Sequence, residues 1–186
     1  SVNDLNGAAS FSSTDVWAVG DFINASGVKQ TLIEHWNGTQ WSVVPSPNPN
    51  SFLSALNGAT AVSANDVWAV GGSTSGSLIE HWNGTTWSIV ASPNVGALNG
   101  VTAVSATDVW AVGEATDASG FLQTLTLHWN GTQWSVVKSP NVGTHNNFLN
   151  GVTAVSATDV WAVGDFNLAN GNFQTLIEYW NGHKWS

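Results

Sequence analysis

An all-β fold is predicted by three motifs that recur in step along the chain. Leu-Asn-Gly occurs at 5–7, 56–58, 98–100 and 149–151, and Asp-Val-Trp-Ala-Val-Gly at 15–20, 66–71, 108–113 and 159–164. Trp-Asn-Gly occurs at 36–38, 82–84, 129–131 and 180–182. A period of about 46 residues marks an array in which each unit buries its faces against the next. Each copy holds four short β-prone runs and no capped amphipathic helix. Four-stranded antiparallel units at this spacing stack radially as the blades of a β-propeller, which leaves only short edges.

The second copy shows the plan. Ala59–Ser63 is the first strand and Ala64-Asn65 a tight turn. Val67-Trp68-Ala69-Val70 is an unbroken apolar run bounded by Gly71-Gly72, as a strand covered on both faces requires. Ser77–Trp82 is the third strand. Asn83-Gly84 is expected as a hairpin turn with positive φ at both residues. Trp87–Val90 is the fourth strand, ended by Ser92-Pro93-Asn94. The chain is expected to be one domain over 1–186, with blades at about 1–46, 47–93, 94–144 and 145–186. The last blade reaches only Trp185-Ser186 where the others continue as Val43-Val44, Ile89-Val90 and Val136-Val137, so its outer strand should be stunted.

Composition narrows function. The 186 residues carry 12 acidic side chains, three Lys and no Arg, for a net charge of −9, while 42% are hydrophobic and 8% charged. Nucleic-acid binding needs clustered cations, and Lys29, Lys138 and Lys184 stand apart in sequence. No apolar run approaches the ~20 residues of a membrane span. Cysteine is absent, so neither a disulfide nor a thiolate metal site exists. The Arg-free, Asn/Thr/Ser-rich composition favours an extracellular or cell-surface setting; of the sequons at Asn24, Asn37, Asn83 and Asn130, the three Asn-Gly ones read better as hairpin turns.

The segments Gly58-Ala59-Thr60-Ala61-Val62, Val67–Gly72, Glu80-His81-Trp82 and Trp87 resemble a kelch repeat. That family has a hydrophobic strand ending in Gly-Gly, an aromatic residue on the third strand and a Trp opening the fourth. The resemblance extends over all four copies and implies a propeller. The Gly pair is intact only at Gly71-Gly72, and the turn between the aromatic and the Trp is shorter than in the family. WD-type propellers share the same strand plan.

Residues repeated at symmetric places are read as structural. Asp15, Asp66, Asp108 and Asp159 are expected to cap the first hairpin. Glu34, Glu80 and Glu178 sit on the third strand, with Thr126 taken as their replacement in the third copy. His35, His81, His128 and Tyr179 follow, expected to bond a neighbouring blade. The 12 Trp fall at three fixed places per copy, as packing between blades requires. Asp21 with Asn24, and Asp165 with Asn167 and Asn170, are weak candidates for Ca²⁺, since they set oxygen ligands in Gly-containing loops; no other cofactor is implied. Catalytic residues are not expected: the Arg cluster of sialidases and the Cys–Tyr crosslink of galactose-oxidase-like enzymes cannot be assembled from this inventory.

Variation concentrates in two loops. One follows the second strand (21–27, 73–76, 114–120 and 165–171), and the other joins the repeats (45–55, 92–97 and 139–148). The sequence therefore predicts a non-catalytic binding or scaffold module that meets a protein or glycan through variable loops. A lectin-like propeller using exposed Trp is the alternative. Small residues on the first strands (Ala8, Ala9, Ala61, Ala103 and Ala154) favour a monomeric four-bladed ring; a homodimeric eight-bladed ring or a longer parent chain would also close the array.

Overall fold

The computed structural model describes residues 2–49 and 53–186. The described residues form strands and turns, with no helix. They make two compact units, 1–94 and 95–186. In the first unit, β1 (Asn3–Ser12), β2 (Asp15–Ile23), β3 (Lys29–Trp36) and β4 (Trp41–Val43) make one antiparallel sheet in chain order. β5 (Ser54–Ser63), β6 (Asp66–Ser73), β7 (Gly76–Trp82) and β8 (Trp87–Ile89) make the next. The second unit repeats the plan with β9 (Ala97–Ser105), β10 (Asp108–Thr116), β11 (Leu122–Trp129) and β12 (Trp134–Val136), followed by β13 (Asn147–Ser156), β14 (Asp159–Asn167) and β15 (Phe173–Trp180). The fourth blade thus has three full strands, as its stunted outer strand leads one to expect. Only Trp185 and Ser186 occupy the place of its outer strand, and they make a single bridge to Trp180 plus paired bonds with Tyr179.

The first strand of each blade is longer than its pattern suggests. Leu56-Asn57-Gly58 lies inside β5, with a register shift between Leu56 and Gly58. β1 and β13 shift at the same place. Such a bulge bends the strand and redirects its side chains, and Leu56 and Leu149 enter the core. The Asn beside the Leu crosses to the next blade: Asn6 Nδ2 donates to the Leu56 carbonyl and Asn99 Nδ2 to that of Leu149, both at 3.0 Å. The Gly lets the first strands approach. A Cβ on Gly7 would lie 2.9 Å from the Asn57 oxygen, and one on Gly100 3.2 Å from the Gly151 Cα. The motif is one buried anchor, one cross-link and one point of close passage.

Strand alternation assigns the core. In β2, Trp17 and Val19 share a face with His35 and Ile33, their partners on β3. That face of the first blade meets the opposite face of the second, made of Leu56, Val67, Ala69, Leu78 and Trp87. In the second unit, Trp110 and Val112 meet Leu149, Val160, Ala162, Leu176 and Trp185 in the same way. Because Val-Trp-Ala-Val serves both faces of one strand, the run is apolar throughout. In β14 the alternation becomes visible: Val160 and Ala162 are buried, while Trp161 is 41% exposed and Val163 and Ile177 are also open. The first blade is bare on its other side, where Leu5 is exposed and Trp41 is 47% exposed.

Trp110 is 1% exposed. Trp110→Ala should therefore lower unfolding free energy by about 3–5 kcal/mol, as for buried aromatic truncations, read by urea unfolding against the parent. A loss below about 1 kcal/mol would show that this indole does not hold the blades together.

Candidate functional site

The repeated acid and imidazole form one unit within each blade. His35 Nε2 donates to Asp15 Oδ1, His81 Nε2 to Asp66 Oδ1 and His128 Nε2 to Asp108 Oδ1, each at 2.8 Å. The imidazole then stacks on the Trp two residues after the Asp, with ring centroids 4.1 Å apart for Trp17–His35, 4.2 Å for Trp68–His81 and 4.3 Å for Trp110–His128. The His therefore bonds the Asp of its own blade, not a neighbouring blade. The Asp does not cap the hairpin either: the hairpin amides of Thr14, Asn65, Thr107 and Thr158 donate to the hydroxyls of Ser12, Ser63, Ser105 and Ser156. In the fourth blade Tyr179 stands in for His. There the Trp161 indole N–H takes the Asp159 carboxylate directly at 2.7 Å, and Trp161 packs on Tyr179 at 4.6 Å. Each Asp thereby holds an imidazole against the Trp of its own blade.

The hairpin before the fourth strand also differs from expectation. Trp36 pairs with Trp41, so residues 37–40 make a four-residue loop. Only the Gly has positive φ (92° at Gly38, 87° at Gly182), and no other residue type among those described does. The Asn instead folds its side-chain oxygen onto the loop: Asn37 Oδ1 accepts from the amides of Thr39 and Gln40, and Asn181 Oδ1 from those of His183 and Lys184. Beyond the fourth strand, Ser-Pro-Asn closes against the third strand. Thr31 Oγ1 bonds Ser46 Oγ at 2.7 Å and the Thr31 amide donates to Asn48 Oδ1; Thr124 does the same with Ser139 and Asn141.

The pinned connector of one blade and the Asn-Gly hairpin of the next enclose a groove in each unit. In the first unit it measures about 360 Å³, with Val44–Pro47 on one side and Trp82, Thr85, Thr86 and Trp87 on the other. In the second it measures about 370 Å³, between Val137–Pro140 and Trp180, His183, Lys184 and Trp185. These are concave, apolar-floored and lined by short polar segments, the general form of a small binding site.

The blades are propeller blades. Solved structures with this fold include "YCF48 bound to D1 peptide" (TM-score 0.51, 12% identity), which matches 99% of this chain and 66% of its own. "Structure of U3-55K" (0.60, 10%) matches 95% and 49%, and "Crystal structure of RRP9 WD40 repeats" (0.56, 11%) matches 92% and 52%. The chain spans between half and two thirds of those proteins. No protein-family profile matches the sequence, and no curated protein sequence is significantly similar to it. These likenesses establish the propeller fold, and nothing in them singles out kelch repeats.

Most of the candidate Ca²⁺ oxygens have partners within the protein. Asp21 holds Lys29 Nζ at 2.7 Å, and Asn24 Oδ1 accepts from the Ser26 and Val28 amides. Asp165 accepts from Asn150 and Asn170 from the Asn172 amide; Asn167 ends β14. Among the described residues no three His, Asp or Glu side chains converge on a metal position. The melting temperature is expected to be the same in chelator and in millimolar Ca²⁺; an upward shift with Ca²⁺ would place a site in these loops.

Sequence reasoning passed over two buried acids. Glu80 and Glu178 are almost wholly buried, and neither carboxyl has a hydrogen-bond partner among the described residues. Burial pushes Glu80 up to about 8 and Glu178 up to about 7. The register also corrects their alignment. Ala69 pairs with Glu80, and Ala111 with Leu127, so Leu127 and not Thr126 fills this place in the third blade. The signal available in the sequence was a carboxylate at a place where a sister repeat carries Leu. The folded pKa lies above the unfolded value near 4.5, so the folded state holds the proton more tightly. Stability is complete below about pH 4.5 and declines as pH rises toward 8. Glu80→Leu should therefore raise the urea midpoint strongly at pH 8.5 and little at pH 5. An equal shift at both would show that the acid is not buried as described.

Proposed function

We propose that this chain is a non-catalytic recognition scaffold that binds a peptide segment of another protein at the grooves and loops between its blades. The observation that carries the reading is the fate of the repeated polar groups. Each Asp–His pair is closed at 2.8 Å on its own Trp, so the chemistry-bearing residues are committed to architecture, and variation is left to the connecting loops. The segment 50–52 of the first inter-repeat loop lies outside the described residues. Burial removes the faces of Trp17, Trp87, Trp110 and Trp185 from any sugar, while Trp41 and Trp161 stay exposed, so support for a peptide comes from the concave grooves. One structure of the same fold is a complex with a peptide. Screening a random-peptide phage library and a glycan array against the protein tests this. Selected peptides whose binding is lost on exchanging the 139–148 connector are expected; glycan binding without peptide selection would overturn it.

The partner reading extends to the bare faces. Trp161, Val163 and Ile177 hold the places of Trp17, Val19 and Ile33, which Leu56 and Trp87 cover in the first unit. Leu5 and Trp41 are the first blade's own counterparts of Leu56 and Trp87, and both are exposed. These two faces are complementary in kind, and we propose that a second copy supplies the cover, first blade upon fourth. Light scattering should give twice the 19.5 kDa chain mass, falling to one chain in Trp161→Glu. A parent protein that is monomeric at micromolar concentration would favour the self-closed ring instead.

A further inference from the structure

The three lysines stand apart in sequence, but the fold does not distribute them evenly. Lys29 is tied to Asp21 at 2.7 Å. Lys138 and Lys184 come from different blades, yet both line the groove of the second unit together with His183. Neither makes an ion pair among the described residues, and both are exposed. On a chain of net charge −9, the unpaired cations of two blades converge on one concave surface.

The groove of the first unit is an internal control. The two grooves match in volume and wall by wall, with Val44, Ser46, Pro47, Trp82 and Trp87 recurring as Val137, Ser139, Pro140, Trp180 and Trp185. The charged differences between them are Lys138 in place of Pro45, His183 in place of Thr85 and Lys184 in place of Thr86. All three exchange a neutral side chain for a cationic or protonatable one. The scaffold beneath is preorganised. Ser139 and Pro140 are held through Thr124, and the backbone of His183 and Lys184 through Asn181. The flexible ammonium stems therefore rise from fixed backbone, which limits the ordering entropy that binding must overcome.

We propose that this groove binds an acidic peptide segment, in which an Asp or Glu side chain meets Lys138 and Lys184 while an adjacent apolar side chain lies against Val137 and Pro140. This rests on the recognition reading above and deepens it. A peptide fits better than an acidic sugar because Trp185 is buried and the Trp180 ring packs against Trp110 and Trp185, with centroids 4.8 and 6.0 Å away. Neither ring offers the open platform on which a sugar would stack.

The test is fluorescence anisotropy with a fluorescein-labelled six-residue peptide carrying two Glu around a Leu, and with its Gln counterpart, at low and high salt. The Glu peptide should bind about fivefold or more tightly than the Gln peptide at low salt, with the preference fading as salt screens the charges. Replacing Lys138→Pro, His183→Thr and Lys184→Thr installs the neutral groove already present in the same protein and should abolish the preference at unchanged melting temperature. Lys184→Glu alone should invert it if the triple variant fails to fold. Equal binding of both peptides, or a preference that survives these variants, overturns the inference and leaves the recognition reading standing. An oligo-uronate that binds here while the peptides do not overturns the peptide assignment. Failure of every peptide in the library screen would sink the broader reading separately.

Discussion

Within each unit, one indole at the blade boundary carries the architecture. Trp110 lies between the His128 ring at 4.3 Å and the Trp180 and Trp185 rings at 4.8 and 5.4 Å. Trp17 is placed likewise, against His35 at 4.1 Å and Trp82 and Trp87 at 5.0 and 5.3 Å. A four-stranded sheet of this size cannot offset its own ordering entropy, so each blade depends on the apolar area it buries against the next. The Asp–His pair keeps the imidazole in a single orientation, and the imidazole in turn holds the indole. Loss of one carboxylate would therefore be felt at the boundary between blades, several side chains away.

The repeated polar residues thus have a structural use. A His with a carboxylate at 2.8 Å has the form of a catalytic dyad, and here the ring of each such His is stacked on an indole of its own blade. The repeat uses its polar side chains structurally: Asp to His within a blade, Asn to carbonyl between blades, Ser and Asn to the amides of their own turns, and Ser and Asn of Ser-Pro-Asn to the Thr of the third strand. The differences fall on short surface segments at otherwise equal places. The two inter-blade grooves are an instance, alike in volume and walls and different in charge.

The fold was legible in the sequence because its signals are local and repeated. Trp-Asn-Gly, the apolar run Val-Trp-Ala-Val and the stunted copy ending at Trp185 each appear in the structure where the pattern put them. Leu127, not Thr126, matches Glu80, as the shared His-Trp at 81–82 and 128–129 shows in the sequence and the pairing of Ala111 with Leu127 shows in the structure. What was not legible depended on neighbours. The Asp–His bond spans 20 residues in the first and third blades and 15 in the second, so no fixed spacing announced it. Lys138 and Lys184 looked isolated because the chain passes through a whole blade between them. The Asn-Gly hairpin was misjudged for a different reason: Asn37 caps its loop with its side chain and leaves positive φ to Gly38 alone.

The claim on which the account rests is that indoles couple adjacent blades, and a double-mutant cycle measures this directly. Trp110 and Trp185 meet edge to face, at 83° between ring planes. Substituting each by Leu, singly and together, keeps the boundary apolar while removing the ring pair. Urea unfolding of the four proteins should give a coupling energy of about 0.5–1.5 kcal/mol, the range for such aromatic pairs. Additive effects, with no coupling beyond error, would contradict the account and reduce the Trp residues to independent fillers of their own sheets.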